Sequence, residues 1–190
     1  ADINVGSGAK ALTVMSTSRG ELENTGNIIN NSTNYTNEIN GGVFGSVSFM
    51  MFFPETSLKN TGNLDINGDN ATGIYNVGIV KSINDHISLT GNKGTIIYSR
   101  SAMAYDVNTG QYEWFPNVND ITSNRIELTG NMGTVFAASG TDFILTPAIS
   151  GGTLEITANG EETYGIYDTV SQKGASSFKI NGNVNMSVKN

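Results

Sequence analysis

The only histidine of the chain, His86, directly follows Asp85, with Arg100 and Arg125 further along. A carboxylate beside an imidazole, with arginines available, is material for general acid–base chemistry. Glycoside hydrolysis would instead need two carboxylates roughly 5 to 9.5 Å apart, and the sequence places no such pair. An isolated Asp-His dipeptide reads equally well as a polar corner or an outward-facing histidine. Other chemistries lack their residues. There is no Gly-x-Ser-x-Gly elbow or Gly-Asp-Ser-Gly segment for a serine nucleophile, and no cysteine for a thiolate metal site or a disulfide. No Gly-Gly-x-Gly-x-Asp series or carboxylate-rich loop offers a calcium site. Gly6-Ser-Gly8 opens no helix, which argues against a phosphate cradle. The expectation is a non-enzyme with no catalytic residue, metal ligand or cofactor.

Binding chemistry is better represented. Residues 99–125 contain the sole tryptophan, Trp114, with Tyr105, Tyr112, Phe115 and Pro116 close by. The Asn108-Thr-Gly110 centre, flanked by Tyr105-x-Val107 and Tyr112-x-Trp114, predicts a protruding hairpin. Tyr105, Tyr112, Trp114 and Phe115 are therefore the candidate ligand-binding residues, able to stack on a sugar face or anchor a protein partner. The competing reading folds the hairpin back so that its aromatics cover a corner.

The elements that would position such a hairpin are repeats. An apolar-x-apolar triplet running into glycine recurs seven times, most clearly at Leu64–Gly68, Ile87–Gly91, Ile126–Gly130, Leu154–Gly160 and Phe178–Gly182. Fainter copies are Ile3–Gly6 and Glu38–Gly41. The glycines at 6, 41, 68, 91, 130, 160 and 182 are spaced by 35, 27, 23, 39, 30 and 22 residues. The shortest spacing suits one coil of a three-sided β-helix, and the longer ones suit coils with insertions at their corners. A second strand signal follows the glycine, as in Gly73-Ile-Tyr75 and Gly165-Ile-Tyr167, and a third ends in Asn-Thr-Gly at 24–26 and 60–62. Alternation places Asp65, Ser88, Glu127, Glu155 and Lys179 in one outward row.

A repeat this short buries its apolar face only by stacking. The predicted fold is thus all-β: a right-handed parallel β-helix, a three-sheet solenoid of about six to seven coils, forming one unit over residues 1–190 with an insertion at 99–125. Composition agrees, with 23 glycines, three prolines, 14% charged residues and no sustained helical spacing. Asparagine at the corners tolerates the left-handed backbone and can hydrogen-bond to its copy one coil away. A net charge of −7 with scattered lysines and arginines leaves no basic face for nucleic acid. The dense apolar run at residues 43–54 is expected to be a strand buried on both faces, or else an interface.

The segment Asn60-Thr-Gly-Asn-Leu-Asp-Ile-Asn-Gly-Asp-Asn-Ala-Thr-Gly-Ile-Tyr75 resembles the repeat of large Gram-negative autotransporter passenger domains, particularly fusobacterial adhesins. The Gly-Ile-Tyr at 165–167 and the Thr-Gly-Asn copies at 90–92 and 129–131 fit the same series, which covers about two thirds of the chain. The resemblance implies a segment of a bacterial cell-surface or secreted adhesin, with a host-cell surface protein or glycan as partner. It also implies an outer-membrane barrel, lying outside this sequence, as the anchor. Residues 42–58 and 99–125 depart from the repeat. Asp85-His86 is also similar to a segment of pectate lyases, which keeps a polysaccharide lyase or hydrolase as the alternative, beside a purely structural stalk.

Overall fold

The structure, a computed structural model, describes residues 3–5, 12–14, 20–31, 37–39, 42–44, 47–51, 56–106, 108–114 and 117–189. The chain is a three-sheet parallel β-helix. The first sheet stacks Ile3–Val5, Ile28–Asn30, Leu64–Asn67, His86–Thr90, Arg125–Thr129, Thr153–Asn159 and Asn183–Lys189. The second stacks Leu12–Val14, Val47–Met51, Thr72–Asn76, Thr95–Arg100, Thr134–Ser139 and Tyr164–Asp168. The third stacks Gly20–Asn24, Thr56–Asn60, Ile79–Ile83, Val118–Ser123, Asp142–Pro147 and Ser177–Ile180. Each coil visits the three sheets in that order, as the repeat predicts.

The core is a set of ladders in which an apolar residue meets its counterpart one rung away. Ile28, Leu64, Ile87, Ile126 and Ile156 form one column in register, all essentially inaccessible to solvent. Ile74, Ile97 and Phe136 form another. Burying each such side chain stabilises by roughly 1.5–3 kcal/mol, and here every rung shares its contacts with two others. In the later coils aromatic rings take over the interior, with Phe143 and Phe178 stacked at 4.7 Å and Phe136 edge-on to Phe143 at 5.4 Å.

The corner from the first sheet to the second explains the turn glycines. Gly68, Gly91, Gly130 and Gly160 have φ of 144–156°, and Asn70, Lys93, Met132 and Glu162 behind them have φ of 54–58°. A Cβ on Gly91 would collide with the Gly68 carbonyl, one on Gly130 with the Gly91 carbonyl, and one on Gly160 with that of Gly130. The corner is therefore a stack of backbone with no space for a side chain. Its polar groups run one to the next: Asp69, Asn92 and Asn131 each accept, through Oδ1, the backbone N–H one coil on, at 2.7, 3.0 and 2.9 Å. At the corner from the third sheet to the first, Asn24 Nδ2 donates to Asn60 Oδ1 at 2.7 Å, the coil-to-coil asparagine bond that the repeat predicts.

Register departs from the expected triplets in three places. Phe178-Lys-Ile180 pairs with Phe143–Leu145 in the third sheet, and the alternating Val184-x-Met186-x-Val188 takes the expected place in the first. Gly182, bent against Pro147, has no part in the glycine stack. Ile126 pairs with Ile156 instead of Leu154, so Thr157 and not Glu155 continues the row of Asp65, Ser88 and Glu127, because Ile156, like Leu64, Ile87 and Ile126, lies four residues before its turn glycine, whereas Leu154 lies six before it. Asn37–Ile39 lies outside the first sheet and pairs antiparallel with Gly42–Phe44. Of the apolar run at 43–54, Val47–Met51 is a second-sheet strand, and its side chains lie outside the described residues, as do 45–46 and 52–54.

Candidate functional site

The interruption expected at 99–125 is narrower in the structure. Ser99 and Arg100 end a second-sheet strand, Val118–Ser123 is a regular third-sheet strand, and Arg125 opens a first-sheet strand. What remains is a hairpin, Met103–Asp106 against Gln111–Trp114. Its turn is held by the Asp106 carboxylate, which accepts the Asn108 N–H at 2.8 Å, and by the Gly110 N–H on the Asp106 carbonyl, also at 2.8 Å. Gly110 closes it at φ 70°, a conformation glycine adopts without strain.

Strand alternation sorts the hairpin into two faces. Tyr105 lies opposite Tyr112 and Met103 opposite Trp114 on one face, while Ala104–Glu113 and Asp106–Gln111 share the other. The two tyrosine rings meet edge to face at 5.5 Å. They are 54% and 68% exposed, so they cover no corner, whereas Trp114 is half-buried. The structure thus places Tyr105, Tyr112 and Trp114 on one face of the hairpin, with the two tyrosines in contact; Phe115 lies outside the described residues.

No sequence motif announces the hairpin's foundation. It leaves from the corner between the second and third sheets, where Asn76, Ser99, Asn117, Asn119 and Thr141 are all buried. Asn119 Nδ2 donates to Ser99 Oγ at 2.9 Å and to Thr141 Oγ1 at 3.2 Å, and Asn119 Oδ1 accepts from Asn76 Nδ2 at 2.9 Å. Ser99 donates to Asn117 Oδ1 at 2.7 Å, Thr141 donates to the same oxygen, and Asn117 Nδ2 returns to the Arg100 carbonyl at 2.5 Å. These groups come from three coils. Both legs of the insertion are thereby clamped, since Arg100 precedes it and Asn117 follows it. Ser101, at the outgoing leg, also donates to Ser171 Oγ at 3.1 Å in the loop of a later coil.

The Asp85-His86 cluster sits on the outward face of the first sheet. His86 Nε2 lies 2.9 Å from Asp65 Oδ1, and the Ser88 hydroxyl donates to that same oxygen at 2.7 Å. Serine and histidine both address the carboxylate, so no hydroxyl is paired to a basic nitrogen as nucleophilic catalysis requires. Asp85 Oδ2 lies 3.7 Å from His86 Nδ1. The hydrogen bond from Asn124 holds the Asp85 carboxyl below its ordinary value, the reverse of what a general acid at neutral pH needs. Arg125 is in register with His86 and pairs with Glu127 at 3.2 Å. Arg100 belongs to a different sheet, where its Nε donates to the Tyr75 hydroxyl at 2.9 Å. The two arginines therefore do not converge on His86. Among the described residues no group of three acidic, histidine or cysteine side chains is placed to hold a metal.

No family profile, curated protein or solved structure matches the chain. The functional reading accordingly rests on the geometry of this molecule and the resemblance of its repeat.

A notch of about 360 Å³ lies between residues 146–152 and 181–183, beside the exposed Ile149. Its lining carries no ionisable side chain and includes no residue of the hairpin or of the His86 cluster.

Proposed function

We propose that the chain is a non-catalytic segment of a bacterial surface adhesin, a β-helical stalk that presents the 103–114 hairpin to a host-cell surface protein or glycan. The observation that carries this reading is the pair Tyr105 and Tyr112, solvent-exposed on a projection whose two legs are clamped by a buried polar network. Exposed aromatics on a preorganised support lose little entropy on binding, which is the economy hot-spot residues exploit. The passenger-like repeat supports an extracellular location, with the parent chain held in the outer membrane by a barrel outside this sequence.

The test is binding of the purified chain to host cells and to an array of immobilised glycans. The Tyr105→Ala/Tyr112→Ala double variant is expected to lose at least tenfold in affinity while keeping its β-sheet circular dichroism. Undiminished binding by that variant would remove the hairpin from the proposal, and absence of binding by the unaltered chain would leave a structural stalk. A lyase reading has one supporting observation, the adjacency of Asp85, His86 and Arg125 on one face. Release of unsaturated products from uronic-acid polymers, abolished by Asp85→Ala, would establish it.

A further inference from the structure

The outward face of the second sheet carries a row of tyrosines with one member missing. Tyr75, Tyr98, Ala137 and Tyr167 occupy the same position on successive strands, in register. Phe136 and Ala138, on either side of Ala137, belong to the apolar core, so alternation turns this column outward. Where its tyrosines are neighbours they stack: Tyr75 and Tyr98 lie 5.2 Å apart with their planes 11° from parallel. Ala137 then breaks the row. Tyr98 is backed by Tyr75, Tyr167 packs on Tyr164 at 5.7 Å, and among the described residues no ring contact spans the alanine.

Neighbouring strands are about 4.8 Å apart, so Tyr98 and Tyr167 rise from backbone positions separated by about 9.6 Å, with Ala137, 9% exposed, as the floor between them. A planar ring in van der Waals contact with a tyrosine on each side needs only about 7–8 Å. The wider spacing suits a thicker ring, puckered and bearing hydrogens on both faces, and a pyranose is such a ring. Its C–H groups meet the electron-rich faces of the tyrosines, while its hydroxyls point out at the edge. Donors stand at that edge. Arg100 and Ser139 are in register with each other, two residues beyond Tyr98 and Ala137 on the same face. The Ser139 hydroxyl makes no hydrogen bond among the described residues. Arg100, pinned through Nε to the Tyr75 hydroxyl at 2.9 Å, keeps its two terminal amino groups for donation. The gap lies on the flank of the β-helix with a strand on each side of it. A further coil beyond Tyr167 would lengthen the row without entering the gap.

We propose that the gap over Ala137 binds one hexopyranose ring of a glycan, held between Tyr98 and Tyr167 with Arg100 and Ser139 donating to its hydroxyls. The site is separate from the 103–114 hairpin and does not require that the hairpin bind anything.

The test is an array of oligosaccharides built from glucose, galactose, mannose and N-acetylhexosamines, probed with the 190-residue chain and followed by titration of the sugars retained. Saturable binding of at least one is expected. Ala137→Tyr completes the row from within, so it should keep the parent's circular dichroism and urea midpoint while lowering affinity about tenfold or more. Tyr167→Ala removes one wall and should also weaken binding about tenfold, and Ser139→Ala about threefold. The Tyr105→Ala/Tyr112→Ala variant should bind these sugars as its parent does. An array without saturable binding overturns the proposal, as does an Ala137→Tyr or Tyr167→Ala chain that binds like the parent. Loss of sugar binding in the hairpin variant alone would overturn it too, by moving the sugar to the hairpin. N-acetyltryptophanamide that binds more tightly than any sugar, and is lost in Ala137→Tyr, would give the gap to an aromatic side chain instead.

Discussion

Two corners of the same coil solve the same geometric problem with different materials. Between the first and second sheets the turn is made of backbone: Gly68, Gly91, Gly130 and Gly160 stacked carbonyl to Cα, each followed two residues later by a left-handed residue. In these four coils it has one length, residues 68–71, 91–94, 130–133 and 160–163. Between the second and third sheets the turn is made of side chains, the network of Asn76, Ser99, Asn117, Asn119 and Thr141, and its length varies from residues 77–78 to 101–117. A backbone stack has no tolerance for a changed path, because every member sets the position of the next. A side-chain network closes the core beneath the chain and leaves the chain above free to leave and return. Among the described residues the one hairpin at the glycine corner, Asn37–Ile39 with Gly42–Phe44, lies in the coil before that stack begins. Insertions, and with them binding loops, follow the corner chemistry.

The largest effect should therefore come from a methyl group at the backbone corner. Gly130→Ala places a Cβ against the Gly91 carbonyl at φ 144°, and the expected loss is about 3 kcal/mol in urea unfolding. That corresponds to a fall in Tm of roughly 6–12 °C for a chain of this size. A loss below about 1 kcal/mol would show that the stack relaxes easily and would break the contrast between the corners. At the side-chain corner, Asn119→Ala leaves the Ser99 and Thr141 hydroxyls and one Asn76 amide proton short of partners. About 2 kcal/mol should be lost, with faster hydrogen exchange in the hairpin backbone than the global destabilisation alone accounts for.

The sequence carried the glycine corner openly, since the requirement for glycine recurs at each copy and survives variation in everything around it. It carried the sheets almost as well, through the alternation that puts Ile87 and Leu89 on one face. It misplaced Phe178-x-Ile180, because an apolar-x-apolar-x-Gly string looks the same in the third sheet as in the first, and only the distance to the preceding third-sheet strand distinguishes them. The aromatic hairpin announced itself by composition. Its clamp did not: Asn76, Ser99, Asn119 and Thr141 are ordinary polar residues scattered over several coils, and they become a unit only once register brings them together. Asp65 and His86 share that history, separated by 21 residues in the chain and by one rung in the sheet.

A smaller effect concerns the outward face of the second sheet. Burial pushes the Tyr75 phenol above its ordinary 10.0, with the Arg100 guanidinium pulling the other way, and its ring stacks on Tyr98 at 5.2 Å. A raised pKa in the folded state means that this contribution is fully present below pH 10 and is lost as the pH rises through the folded value. Stability should thus fall on the alkaline side above pH 10, and Tyr75→Phe should flatten that fall while leaving the neutral plateau within about 1 kcal/mol. An alkaline limb identical in the two proteins would assign the loss to other groups.

The smallest effect on the fold, and the sharpest test of the division between corner and insertion, is expected from the hairpin tips. Tyr105 and Tyr112 touch each other and solvent, and neither reaches the ladders that hold the coils. Replacing both with serine removes one edge-to-face contact, an interaction of roughly 0.5–1.5 kcal/mol confined to the hairpin. A hairpin that opens on its own before the coils unfold adds little to the global transition, so the urea midpoint should move by no more than about 0.5 kcal/mol of stability. Exchange of the hairpin amides should accelerate at the same time, because local opening draws on the lost contact directly. If the midpoint instead shifted as far as it does for Asn119→Ala, the tyrosines would be part of the scaffold. The hairpin would then be a brace for the coil beneath it, and the surface offered to a partner would have to be sought on another face.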